Sequence, residues 1–176
     1  MKIAIFRNHA NDPLSFAIKA LMRTQYTHAA LLEDEAGLGI IEAFWPVVRR
    51  RKLDPSEVSG IDFFEVAGLT PEKTQAVVAF CDAAIAAHER YSIANLFRFL
   101  APARAVLGEA TDAGNGTNPV FCSQFVFDAI THGGGVPLFS KGVNSGEVDP
   151  GHLAWSPVLV PAPLDARVLG AGISNQ

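Results

Sequence analysis

Cysteine is scarce. The chain has two, Cys81 and Cys122, too few for a disulfide framework. Both are expected to be reduced, in a cytoplasm-like compartment. Neither stands in a Cys-x-x-Cys pair, and no two histidines have a His-x-x-x-His spacing, so no metal site is expected. Charge is also sparse. Lys and Arg total 14 against 18 Asp and Glu, a net −4, so there is no basic field for nucleic acid. The one basic run, Arg49-Arg50-Arg51-Lys52, is followed at once by Asp54 and Glu57 and reads as a solvated strand end or loop. No apolar run reaches the ~18–20 residues that span a bilayer. The longest, residues 75–88, is Ala-rich, interrupted by Asp82, and reads as a core helix. The first apolar run is cut off by Arg7, too short for a signal peptide, so a cytoplasmic location is expected. The Gly-rich stretch at 108–119 leads to no Gly-Lys-Ser/Thr, which excludes a phosphate loop. There is no internal repeat and no low-complexity segment.

What is present is core-forming. Hydrophobic residues make up 49% of 176 residues and the mean hydropathy is +0.21, enough for one globular domain over 1–176, with a core to about 160 and a short tail. Residues 2–7 alternate as a strand. Asp12 and Pro13 mark a helix start, with a helix to about Arg23. Residues 27–32 and 39–45 read as strands joined by the turn 33–37, a β-hairpin that Pro46 ends or bends. Residues 47–53 read as an edge strand, 54–56 as a turn and 61–66 as a further strand. Thr70-Pro71-Glu72 opens a helix predicted to run to about Arg90, with Val77, Phe80, Ala84 and Ile85 inward and Cys81 as a small core residue. Residues 91–100 read as a second helix and 108–119 as a loop. Residues 122–131 read as a helix packed through Phe125, Val126 and Ile130, ended by Gly133-Gly134-Gly135. Residues 137–151 read as irregular, 155–161 as a last strand and 165–176 as a tail. The order is that of an α+β fold.

Cys122 opens the helix after Asn118-Pro119-Val120-Phe121. A cysteine there meets unpaired backbone N–H groups and the positive end of the helix dipole, a setting that favours the reactive thiolate. A nucleophile needs a base, and the base needs a third group to fix its ring. Of five histidines, His9 falls in a polar turn, His88 at a helix end, and His152 in a Pro/Gly-rich loop. His132 lies about 15 Å along the Cys122 helix. His28 differs, because it starts the apolar strand Thr27-His28-Ala29-Ala30-Leu31-Leu32. Glu42 sits inside the apolar strand Gly39-Ile40-Ile41-Glu42-Ala43-Phe44, where a carboxylate is costly unless paired. In a hairpin turning near Glu35 and Ala36, residue 28 faces a position around 42 to 44. His28 and Glu42 then share a face, opposite or diagonal to one another. A slip of one residue would put them on opposite faces.

These stretches, with Phe121-Cys122-Ser123-Gln124-Phe125-Val126, resemble the permuted branch of the NlpC/P60 cysteine-peptidase superfamily. This is the YiiX/YaeF-like group, related to lecithin:retinol acyltransferase, in which the histidine strand precedes the cysteine helix. The resemblance covers roughly residues 1–160. It implies a papain-like fold, an antiparallel sheet packed against the helix that bears the cysteine, and no metal or organic cofactor. It implies Cys122 as nucleophile, His28 as base and Glu42 as the group that orients it. Tyr91 loosely matches a Tyr-Asp of the group, though Ser92 follows it here, and Gln124 stands where the group commonly has Glu. Tyr91 and Ser123 are candidate substrate contacts.

The expected activity is cysteine-dependent hydrolysis of an amide or ester, with a peptide (of cell-wall type or other), an amide or an acyl lipid as substrate. The alternatives are acyl transfer to an acceptor other than water, for which Phe97-Arg98-Phe99-Leu100 would suit a lipid chain, and a non-catalytic binding module that keeps the fold.

Overall fold

The computed structural model describes residues 1–7, 24–92, 120–140 and 142–164. Those residues form a six-stranded antiparallel sheet in the order β4-β3-β2-β1-β5-β6, with helices on one face. The strands are β1 Lys2–Phe6, β2 His28–Asp34, β3 Gly39–Phe44, β4 Val47–Lys52, β5 Ile61–Val66 and β6 Leu159–Pro161. The helices are α1 Pro71–Ala86, α2 Cys122–Asp128 and α3 Pro150–Ala154. The expected helix before residue 23, the helix after Ser92, the 108–119 loop, Phe97–Leu100 of the apolar segment and the tail lie outside the described residues, as does His9.

β1 is buried at every position, as befits a central strand covered on both faces. Its odd residues, Ile3 and Ile5, join Ala29, Leu31, Ile41 and Ala43 against α1 and α2. Its even residues, Ala4 and Phe6, join Ala30, Leu32, Ile40 and Phe63 on the opposite face. β4 is an edge strand, where Val48 is buried and the arginines and Lys52 are partly or fully exposed.

α1 begins as predicted, with the Thr70 hydroxyl accepting from the Lys73 N–H and Pro71 at the first position. It ends at Ala86, four residues short of the expected Arg90. His88 takes a positive φ of 51°, the Glu89 N–H bonds back to the Ala84 carbonyl, and Val48 donates to the Glu89 carbonyl. Residues 89–91 are thereby drawn into extended pairing. Val77, Cys81 and Ala84 are its buried residues, whereas Phe80 and Ile85, expected inward, are partly buried. Burial pushes the Cys81 thiol up to about 12, in keeping with a core role.

α2 widens into a π turn over Ala129–Gly133. α1 crosses this turn closely. A β-carbon on Gly134 would lie 2.7 Å from Val77 Cγ2 and 3.0 Å from the Ile130 carbonyl oxygen. Gly134→Ala is therefore expected to cost about 1–3 kcal/mol in urea unfolding, with an unchanged m-value. The stretch 137–151, read as irregular, holds a 3-10 turn at Ser145–Glu147 and the start of α3, whose N-cap Asp149 accepts from the His152 N–H. The last strand is shorter than expected because α3 and the turn after it occupy residues 150–158.

Candidate active site

Pairing places the cysteine. Val120 donates to the Arg90 carbonyl and its own carbonyl accepts from Ser92, while Tyr91 donates to the Pro46 carbonyl. The segment before α2 is thus tied through residues 90–92 to the β3–β4 hairpin. Tyr91 itself is in an isolated parallel bridge with Val120 rather than in a helix, and its ring packs at the edge of the helix-side core. All seven residues of α2 are buried. Ser123 is 0% exposed.

His28 stands at the start of β2 and Glu42 in the middle of β3. β2 and β3 pair with Leu31 opposite Ile41 and Leu32 opposite Ile40. Continued, this register sets His28 opposite Phe44 and Glu42 diagonal to His28, on one face. Nearer the turn the register differs, because Asp34 pairs with Gly39 across an irregularity between Leu32 and Asp34. Had the turn-side register persisted, Glu42 would oppose Leu31 and point away from His28. The irregularity, with one extra residue on β2, therefore puts the two side chains on the same face.

The His28 Nε2 lies 2.9 Å from Glu42 Oε2, and His28 is also hydrogen-bonded to Cys122. Since Glu42 occupies Nε2, Nδ1 is the nitrogen left for the thiol. Phe6 and Phe44 pack on the ring, with centroids 5.1 and 5.9 Å away, and limit its rotation. Burial by itself lowers the His28 pKa, but the neighbouring Cys122 and Glu42 outweigh it, and His28 stands at about 9. Burial raises the Glu42 pKa, and His28, Arg51 and Arg49 outweigh that, leaving it at about 2. The arrangement favours imidazolium beside carboxylate. Cys122 is 1% exposed and His28 4%.

The basic run is not the solvated strand end expected of it. β4 alternates, so Arg49 and Arg51 project to the Glu42 side while Arg50 projects to the other. Glu42 Oε1 accepts from Arg49 Nε at 3.0 Å and from Arg51 Nε at 2.9 Å, and Arg49 Nη2 is also 2.9 Å away. Arg50 instead pairs with Glu33 at 2.8 Å and with Asp82 of α1 at 2.6 Å. The sequence did carry a signal for this, an Arg-x-Arg spacing on the strand next to a buried carboxylate.

The other described histidines lie elsewhere. His132 is 3.6 Å from Asp128 at the far end of α2, and His152 is 3.2 Å from Asp149 in α3. His88 is exposed beyond α1. Two residues before His28, Tyr26 lines an open cavity of about 340 Å³ together with His152 and Trp155, and Trp155 is 80% exposed. Among the described residues no helix is long and apolar enough to cross a membrane. No protein-family model matches this chain, and no curated protein matches it in sequence.

Proposed function

We propose that the chain is a cysteine-dependent hydrolase of an amide or ester bond, built on a papain-like core in permuted order. The observation that carries this reading is the chain of contacts Cys122–His28–Glu42, in which one imidazole nitrogen meets the thiol and the other lies 2.9 Å from a buried carboxylate. A nucleophile, a base and an orienting group in that relation are what acyl transfer needs.

The Cys122 thiolate attacks the carbonyl carbon, and the carbonyl π pair moves to oxygen. The Cys122 N–H, in the first turn of α2, is one donor to that oxyanion. As the tetrahedral adduct collapses, the bond to the leaving amine or alcohol breaks and His28 gives that group its proton. His28, now neutral, takes a proton from water. The hydroxide attacks the thioester, and the thiolate leaves. Glu42 keeps the imidazole in one tautomer and orientation throughout. The cavity beside Tyr26 and Trp155, lined by α3, which packs on α2, is assigned to the substrate's flanking group. Its size falls within the ordinary range for small-ligand pockets.

The test has two parts. In native protein at neutral pH, iodoacetamide is expected to label Cys122 and leave Cys81 unmodified until denaturant is added, as read by peptide mass spectrometry. A screen of p-nitrophenyl esters, peptide amides and acyl lipids, with and without an added amine or alcohol acceptor, should give free acid as the product. Transfer to the acceptor would mark an acyltransferase instead. An unreactive Cys122 together with no turnover would leave a binding module.

A further inference from the structure

We infer that Arg49 and Arg51 are positioning residues for the His28–Glu42 pair, holding one carboxylate oxygen so that only the other is offered to the imidazole. The inference rests on the proposed role of His28 but goes beyond it, since it assigns a task to two residues outside the triad.

The geometry is specific. Three guanidinium nitrogens crowd Glu42 Oε1 within 3.0 Å, two from Arg49 and one from Arg51, while Oε2 is left to His28 at 2.9 Å. Glu42 lies directly across from Arg49 in the β3–β4 ladder, and Arg51 reaches in from opposite Ile40. Each arginine is braced in turn. The Arg49 guanidinium lies 4.4 Å from the centre of the Phe44 ring, the same ring that packs edge-on to His28. Arg51 forks onto Glu57 at 2.8 and 3.1 Å. Glu57 is fixed by accepting from the Asp54 N–H at 2.9 Å in a capping box. A planar guanidinium in such a fork holds its target in one plane.

Among the described residues, the titratable or charged groups facing His28 are Glu42 from β3 and Cys122 from α2. Those facing Glu42 are His28, Arg49 and Arg51, and Glu57 backs Arg51. The ring contact from β1 is Phe6, which is uncharged. With both guanidiniums in place, part of the Glu42 charge is spent on them and the carboxylate cannot rotate. The imidazole proton then stays on nitrogen instead of passing to Glu42.

The consequence has a sign. Removing the arginine charge frees Glu42 to act on His28 alone, so His28 should titrate at higher pH. Removing the Glu42 charge should move His28 to lower pH. The experiment is an NMR titration of the His28 ring in the full chain, comparing wild type with Arg49→Gln, Arg51→Gln, the double variant and Glu42→Gln. The expected result is an upward move for the arginine variants, largest in the double variant, a downward move for Glu42→Gln, and return toward wild type with Arg51→Lys. The kcat of the double variant should fall by roughly tenfold or more, with less change in KM.

A role confined to stability would lower the melting temperature of Arg49→Gln and Arg51→Gln and leave the His28 titration in place, and that outcome overturns the inference. Arg49 has a side chain 40% exposed, so Arg49→Gln alone supplies a folded variant if the double variant does not fold. The titration requires no turnover. An inactive wild-type protein would sink the hydrolase reading, while the movement or stillness of His28 would still decide the clamp.

Discussion

Replacing Cys122 with alanine is expected to abolish turnover, by roughly 10⁴-fold or more in kcat, with the melting temperature almost unchanged. In the proposed mechanism the sulfur is the atom that bonds to the acyl carbon, and no other described thiol can replace it, because Cys81 is buried in α1 and pushed up to about 12. His28→Asn should cost about as much, and the double variant no more than either single, since residues acting as a unit are not additive. The pH profile gives a second reading of the same pair. In the proposed mechanism His28 donates the proton to the leaving group, and Cys122 and Glu42 hold it at about 9 against an ordinary 6.5. In steady-state kcat/KM across pH, activity should therefore fall as pH rises through about 9. A stability term runs the same way. A histidine raised on folding contributes fully below its ordinary value, and that contribution is lost as pH rises through its folded value. Retained turnover in Cys122→Ala would end the proposal.

Glu42→Ala is expected to damage both activity and fold. Glu42 is fully buried and carries contacts to three cationic or ionisable partners. Its removal takes away the carboxylate that holds one His28 nitrogen and strips Arg49 and Arg51 of their shared acceptor. Breaking a buried pair from one side costs about 3–5 kcal/mol. The arginines here are 40% and 21% exposed and can rehydrate, so the lower end, about 3 kcal/mol, is expected. For a domain of this size that corresponds to a melting temperature lower by roughly 6–12 °C, read by calorimetry. Activity should drop by roughly 10³-fold or more. Glu42→Gln, which keeps the shape, should spare more stability than activity. Glu42 sits at about 2 against an ordinary 4.5, so its contribution to stability is whole above 4.5 and is lost as pH falls through 2. A Glu42→Ala protein as stable and as active as wild type would show that the carboxylate neither holds the sheet nor orients His28.

Much of this was legible in local pattern. The buried run Lys2–Phe6, the hairpin strands, the capped start of α1 and the helix at Cys122 each follow from periodicity and end signals that act over a few residues. Glu42 was conspicuous because a carboxylate among Ile40, Ile41 and Ala43 needs a partner. The end of α1 was not legible. No Gly or Pro stands at residues 87–90, and the helix stops because β4 and Val120 compete for the same backbone groups. The arginine run misled for a related reason. Composition shows four cations in a row, whereas a strand sends alternate ones to opposite faces.

The amino-acid sequence by itself determined which residues were available for chemistry: a cysteine at a helix start, a histidine opening an apolar strand, and a carboxylate too costly to bury alone. The tertiary structure decided that they meet. The register of β2 against β3 has a period of two, so one extra residue between Leu32 and Asp34 is the difference between Glu42 facing His28 and facing away. No local sequence rule encodes the place of that residue. The same holds for Arg49 and Arg51, whose role exists only once β4 is laid beside β3.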